Sequence, residues 1–115
     1  MNMKMITCII RPEKLDSVAD ALDKQHLITG MMVTEVRGFG RQKGQVEHYR
    51  GGEYRIRFIP KVRIDVVVQE KDVEAVMATI EKVARTGNIG DGKLFVTDVS
   101  NVLRIRTGEK GTSAL

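Results

Sequence analysis

The chain has 115 residues, 42% apolar but only 4% aromatic, so its core must be built from Val, Ile, Leu and Met, and that length suits one domain of ordinary size. The single cysteine, Cys8, excludes an internal disulfide and a cysteine-based zinc site, and there is no apolar run of about 18 residues to span a membrane. The net charge of +4 is uneven, because positions 37–63 carry eight basic residues against two acidic ones, a net of +6 that leaves −2 for the rest.

That imbalance puts the cationic field in one segment and predicts an anionic ligand or an acidic partner there. The opening MNMKMITCIIRPEKL turns polar too early for a secretory signal. A reducing, cytoplasmic setting is expected, with Cys8 a small buried hydrophobe.

Lys4–Ile10 is apolar and β-rich and predicts the first strand. Pro12 suits a first helical turn. Leu15, Val18, Ala19 and Leu22 recur at helical spacing and predict a helix to about Gln25. Met31–Arg37 reads as a second strand. Residues 38–58, GFGRQKGQVEHYRGGEYRIRF, hold five of the 11 glycines and predict a long cationic loop in mid-chain. From Ile56 the apolar positions alternate through Phe58, Val62, Ile64, Val66 and Val68, which predicts a long strand with one buried face. Pro60 cannot donate to a ladder and needs an edge or a bulge there. Val73, Val76, Met77, Ile80, Val83 and Ala84 predict a second amphipathic helix, with Gly87 placed to cap it. Leu94–Val99 predicts a fourth strand and Val102–Arg106 a short fifth, followed by a polar, mobile tail over about 107–115. The order βαββαβ, with no internal repeat, predicts a single α+β domain over 1–115: a ferredoxin-like sandwich of an antiparallel sheet with two helices on one face.

Three groups of residues carry candidate chemistry. Residues 87–93, GNIGDGK, fit G-x-x-x-x-G-K, but Leu94 stands where a P-loop needs Ser or Thr, and the predicted order is helix, glycines, strand. The P-loop reading is therefore rejected. Gly90 and Gly92 still let backbone N–H groups approach an anion, and Lys93 adds a point charge. An ordinary helix-to-strand turn explains the same glycines equally well. Arg104 and Arg106, two apart on a predicted strand, point to one face. They suit an anion held between two guanidiniums, or a solvated edge strand. Gly38, Gly40 and Gly44 bracket Arg41, Gln42 and Lys43, again permitting an anion nest. Gln42 offers a carbonyl oxygen to a hard cation such as Mg²⁺, and Lys61 stands on the polar face of the long strand, able to meet a carboxylate. A solubilising loop accounts for the same composition. His26 and His48 lack ligand spacing, and no nucleophile–base or paired-carboxylate set is present.

Together, EVRGFGRQKG (35–44), YRGGEY (49–54), FIPKV (58–62), ARTGNIGDGKLFV (84–96) and VLRIRTGEKG (102–111) resemble the PII signal-transduction proteins, over about Lys4 to Gly111. The resemblance implies a non-enzymatic cytoplasmic regulator of nitrogen, energy and carbon status. It implies a homotrimer of ferredoxin-like subunits with ATP or ADP bound in clefts between them. 2-Oxoglutarate would bind beside ATP through Mg²⁺, and the loop at about 40–56, the T-loop, would dock onto partners. By position, Gly38, Gly40, Arg41, Gly90, Asp91, Gly92, Lys93, Arg104 and Arg106 would surround the phosphates, with Met32, Asp65 and Val67 by the ribose and adenine. Gln42 would ligate Mg²⁺, and Lys61 would pair with the distal carboxylate of 2-oxoglutarate, helped by Arg11, Lys43 and Gly44. Arg50 matches an arginine that plugs an ammonium channel, and Tyr54 a tyrosine that a nucleotidylyltransferase modifies. The implied partners are an ammonium transporter or a nitrogen-metabolic enzyme, with no nucleic acid, and with a membrane met only through a partner.

The sequence departs from the family pattern at several points. Met32 replaces a threonine, Asp65 replaces a glutamate, and the turn after the first helix is one residue longer. Arg57 makes the T-loop unusually cationic, and Gly52 removes a phosphorylatable serine. Two other readings compete. One is an RNA-binding βαββαβ module, which needs sheet aromatics to stack bases, whereas the aromatics here are Phe39, Phe58, Phe95 and two loop tyrosines. The other is a weak ATPase, for which no general base presents itself.

Overall fold

The alternation of apolar residues decides which side of each strand is buried. A computed structural model of the chain describes residues 2–40, 47–49, 53–55 and 57–115, with the backbone alone described for 47–49 and 53–55. Strand β1 is Met3–Ile10, helix α1 Leu15–Gln25 and strand β2 Met32–Gly38. A small hairpin of β3, Glu47–Tyr49, and β4, Glu53–Arg55, lies within the loop. Strand β5, Ile59–Gln69, helix α2, Val73–Ala84, and strand β6, Lys93–Val99, complete the set. The main sheet has the order β2-β5-β1-β6 and is antiparallel throughout, which is the ferredoxin-like arrangement.

Ile6, Cys8 and Ile10 of β1 and Val62, Ile64, Val66 and Val68 of β5 face the helices. Val18 and Leu22 of α1, four apart, and Val76, Ile80 and Ala84 of α2, at the same spacing, close over them. Each branched side chain so buried contributes about 1.5–3 kcal/mol. Cys8 is part of this core, and burial pushes its thiol up to about 11. No helix among the described residues is long and apolar enough to cross a membrane.

The caps and turns follow the sequence expectation at Pro12 and Pro60 and depart from it at the end of α2. A 3₁₀ turn at Pro12–Lys14 leads into α1, with Pro12 in the first-turn position. His26 ends α1 in the left-handed region, at φ 58°, where glycine is commoner. α2 ends at Arg85 in extended conformation, not at Gly87, whose positive φ serves the turn that follows. Pro60 pairs with Arg37 of β2, while pairing to β1 begins only at Val62. The proline thus stands where β5 has a neighbour on one side, as its missing N–H requires.

The expected fifth strand over 102–106 is reduced to a single bridge, Leu103 to Lys110. Arg104 N–H bonds Glu109 O at 2.9 Å and Gly108 N–H bonds Arg104 O at 2.8 Å, which closes a turn around residues 105–107. A strand needs a ladder partner along its length, and within this chain the segment finds only itself. The polar tail folds back onto the domain. Gly111–Ala114 forms a 3₁₀ turn with Ala114 buried, and Arg104 Nη2 donates to the Leu115 carbonyl at 2.9 Å.

Candidate functional site

Strands β1 and β6 meet at Ile9 and Lys93, and the turn from α2 enters there. Its conformation is set by three glycines at positive φ: Gly87 at 87°, Gly90 at 106° and Gly92 at 100°. At Gly92 the reason is also spatial, since a Cβ there would lie 1.7 Å from the Ile9 carbonyl oxygen.

Asp91 organises this turn. Its Oδ1 accepts from the Thr86 hydroxyl at 2.5 Å and from Arg11 Nε at 3.2 Å. Its Oδ2 accepts from the N–H groups of Thr86 at 2.8 Å and Gly87 at 2.9 Å. The Thr86 hydroxyl and N–H bonds, with those of Gly87 and Arg11, outweigh desolvation and hold the Asp91 carboxyl well below the usual carboxylate range. The side chain is therefore a brace within the turn. Arg11 also donates from Nη2 to the Ile89 carbonyl at 2.8 Å, and Lys61 Nζ donates to the Gly90 carbonyl. Two cations from β1's end and β5 thus converge on the 89–91 backbone. A cleft of about 460 Å³ bordered by Pro12, Arg37, Pro60 and Lys61 opens at the foot of the loop. Phe39, just after β2, and Phe58, just before β5, meet edge-to-face with ring centroids 6.2 Å apart, linking the two ends of the loop.

A second group lies on the sheet face opposite the helices. The register places Met32 and Thr7 beside Asp65, and Met5 beside Val67. Asp65 is buried, accepting from Thr7 Oγ1 at 2.5 Å and Arg63 Nε at 2.9 Å. Burial pulls its carboxyl upward, but the Arg63 and Thr7 bonds outweigh that and hold it below the ordinary value. Met32 beside it is 57% exposed. Phe95 lies on the same face, opposite Thr7, without an aromatic partner on the adjoining strand.

Sequence reasoning named Arg11, Lys61, Gly90, Asp91, Gly92 and Lys93, and these surround one turn. It also named Met32, Asp65 and Val67, and these share one face. Arg104 and Arg106 do not stand side by side on a strand. Arg104 is held by Glu109 at 3.2 Å and by the tail, while Arg106 lies in an exposed turn, with no hydrogen bond or ion pair joining either to the 86–93 turn. Gly38 ends β2 and Gly40 follows it, but Arg41, Gln42, Lys43, Gly44 and Arg50 lie outside the described residues. Tyr54 is in β4. Thr7, Arg63 and Thr86 were missed. Thr7 was visible as the polar residue in an apolar strand, and Thr86 as a hydroxyl opening a glycine-rich turn.

A family model described as Nitrogen regulatory protein P-II matches residues 3–109. The chain belongs to the P-II family. Nitrogen regulatory protein P-II 1 of Escherichia coli K12 is 56% identical over 113 residues, covering 98% of this chain and 100% of that protein. The P-II protein of Synechocystis is 54% identical over the same shares. Among solved structures, B. subtilis GlnK aligns with a TM-score of 0.84 at 35% identity over 100% of both chains. Arabidopsis thaliana PII bound to citrate aligns at 0.80 and 41% identity, covering 99% of this chain and 92% of that one. A B. subtilis GlnK–ATP complex aligns at 0.81 and 32% identity, over 98% and 97%. P-II proteins are regulators, and the family places this chain among nitrogen regulatory proteins.

Proposed function

We propose that this P-II chain is a one-domain, homotrimeric, cytoplasmic sensor without catalytic turnover. It binds ATP or ADP, and 2-oxoglutarate with ATP and Mg²⁺, and reports their balance to a partner through the loop at about 40–56. The observation that carries this reading is the convergence of Arg11 and Lys61 on the 89–91 backbone at the foot of that loop. The ATP- and citrate-bound relatives support a nucleotide and a multivalent carboxylate as ligand classes.

In this reading Gly90, Gly92 and Lys93 hold polyphosphate, with Gly38, Gly40 and Arg41 beside it. Met32, Asp65 and Val67 hold ribose and adenine. Arg104 and Arg106 reach the phosphates of a neighbouring subunit's cleft, which gives the segment the strand partner it lacks alone. Lys61 and Arg11, with Lys43 and Gly44, take the dicarboxylate. Among the described residues no cluster of His, Cys, Asp or Glu could cage a metal. Mg²⁺ would be held largely by oxygens of the bound ligands, with the Gln42 amide oxygen as a donor from the protein. Arg50 and Tyr54 lie on the partner-facing loop, Arg50 suited to an ammonium transporter and Tyr54 to nucleotidylylation.

In this reading, ligands that place different charge beside Arg11 and Lys61 favour different partner-binding states of the protein. A ligand shifts those states only by its differential affinity for them, and a coupling of about 1–3 kcal/mol gives roughly 5–150-fold changes in partner affinity. Titration calorimetry with ATP–Mg²⁺, with and without 2-oxoglutarate, tests the reading. ATP binding that tightens the site for 2-oxoglutarate supports it, and the absence of ATP binding at millimolar ligand defeats it.

A further inference from the structure

Thr86 has no assigned role, yet it holds the turn together. Its hydroxyl donates to Asp91 Oδ1 at 2.5 Å and accepts the Asn88 N–H at 3.1 Å. Its own N–H, with that of Gly87, fills Asp91 Oδ2. One hydroxyl and one carboxylate thus close residues 86–91 into a ring. Arg11 ties the ring to the end of β1 through Asp91, and on the other side Gly92 is seated against Ile9. The backbone between them is held at both ends.

The ring also settles an electrostatic conflict. Asp91 is a full negative charge two residues from Lys93, in the segment read above as a polyphosphate cradle. Left unpaired, it would repel a phosphate. Satisfied by a hydroxyl, two N–H groups and a guanidinium, its charge is balanced within the protein. We propose that Thr86 is a positioning residue for polyphosphate. It keeps Asp91 bound into the ring and so keeps the Gly90–Lys93 backbone preformed for an anion. This rests on the nucleotide reading above.

Thr86 is exposed, so replacing it leaves the core intact. In Thr86→Val and Thr86→Ala, amide hydrogen exchange across 87–93 is expected to speed by about 10-fold or more, and ATP affinity to fall by about 10-fold, since a bond to a charged group is lost. The loss should shrink from ATP to ADP to AMP, and Thr86→Ser should restore both readouts. A merely structural role would weaken the three nucleotides alike. Unchanged exchange in both variants overturns the brace. Faster exchange with ATP affinity unchanged, or with equal losses for all three nucleotides, overturns the phosphate role. If the unsubstituted chain binds no ATP, the nucleotide reading falls and the phosphate role falls with it, while the exchange data still report on the ring.

Discussion

At Gly92 φ is +100° and an added Cβ would lie 1.7 Å from a backbone carbonyl oxygen. The left-handed conformation alone costs an L-residue about 1–2 kcal/mol, and the clash cannot be relieved by turning a side chain. Gly92→Ala is therefore expected to lose more than that in urea unfolding. Gly30→Ala, with nothing within 4 Å of the added Cβ, should change stability by no more than about 0.5 kcal/mol. Asp65 gives a second residue-scale outcome. Its folded-state carboxyl titrates below the ordinary 3.8, so the unfolded chain takes up protons first as the pH falls. Its contribution is fully present above that pH and is lost as the pH drops through the folded value. Acid unfolding of Asp65→Asn should show less pH dependence below about pH 4 than the parent chain, and an unchanged acid limb would refute the assignment. Residue types in a short stretch announced the glycines. The Asp65–Thr7 bond joins positions 58 apart in sequence, and only strand register reveals it.

The limits of the elements follow from local signals where those signals are strong. The period of two through Val62, Ile64, Val66 and Val68 and the four-residue spacing in both helices lie in the sequence, and the structure keeps them. What local pattern cannot supply is the neighbour. The 102–106 segment alternates like a strand, but a ladder needs a second strand, and here it meets only Lys110. The end of α1 near Gln25 was legible in the helical spacing, but its cap was not, because nothing in the sequence around His26 announces a left-handed residue. That cap is improvable. His26→Gly removes the Cβ penalty at φ 58° and is expected to raise stability by about 0.5–1 kcal/mol, read as a higher melting temperature. A lower melting temperature would show that the imidazole itself supports the turn.

The whole molecule has one covered sheet face and one open one. The helices shield the first, while the second presents Met32, 57% exposed, on one edge strand and Phe95, 51% exposed, on the other, and Ile105 stands 93% exposed at the 105–107 turn. Exposed large apolar side chains suit a surface that meets a partner, and the proposed trimer supplies three copies of this face. Phe95→Asp places a charge where burial would otherwise yield about 1.5–3 kcal/mol per subunit, and unpaired charges are costly to bury. Sedimentation at micromolar concentration should then show the parent as a trimer and the variant shifted to smaller species. Because Arg104 and Arg106 are proposed to come from the neighbour, ATP affinity should fall as the trimer fraction falls, and concentrating the variant should recover both together. A variant that stays monomeric yet binds ATP as tightly as the parent would mean that one subunit holds the whole site, and the shared cleft would have to be abandoned.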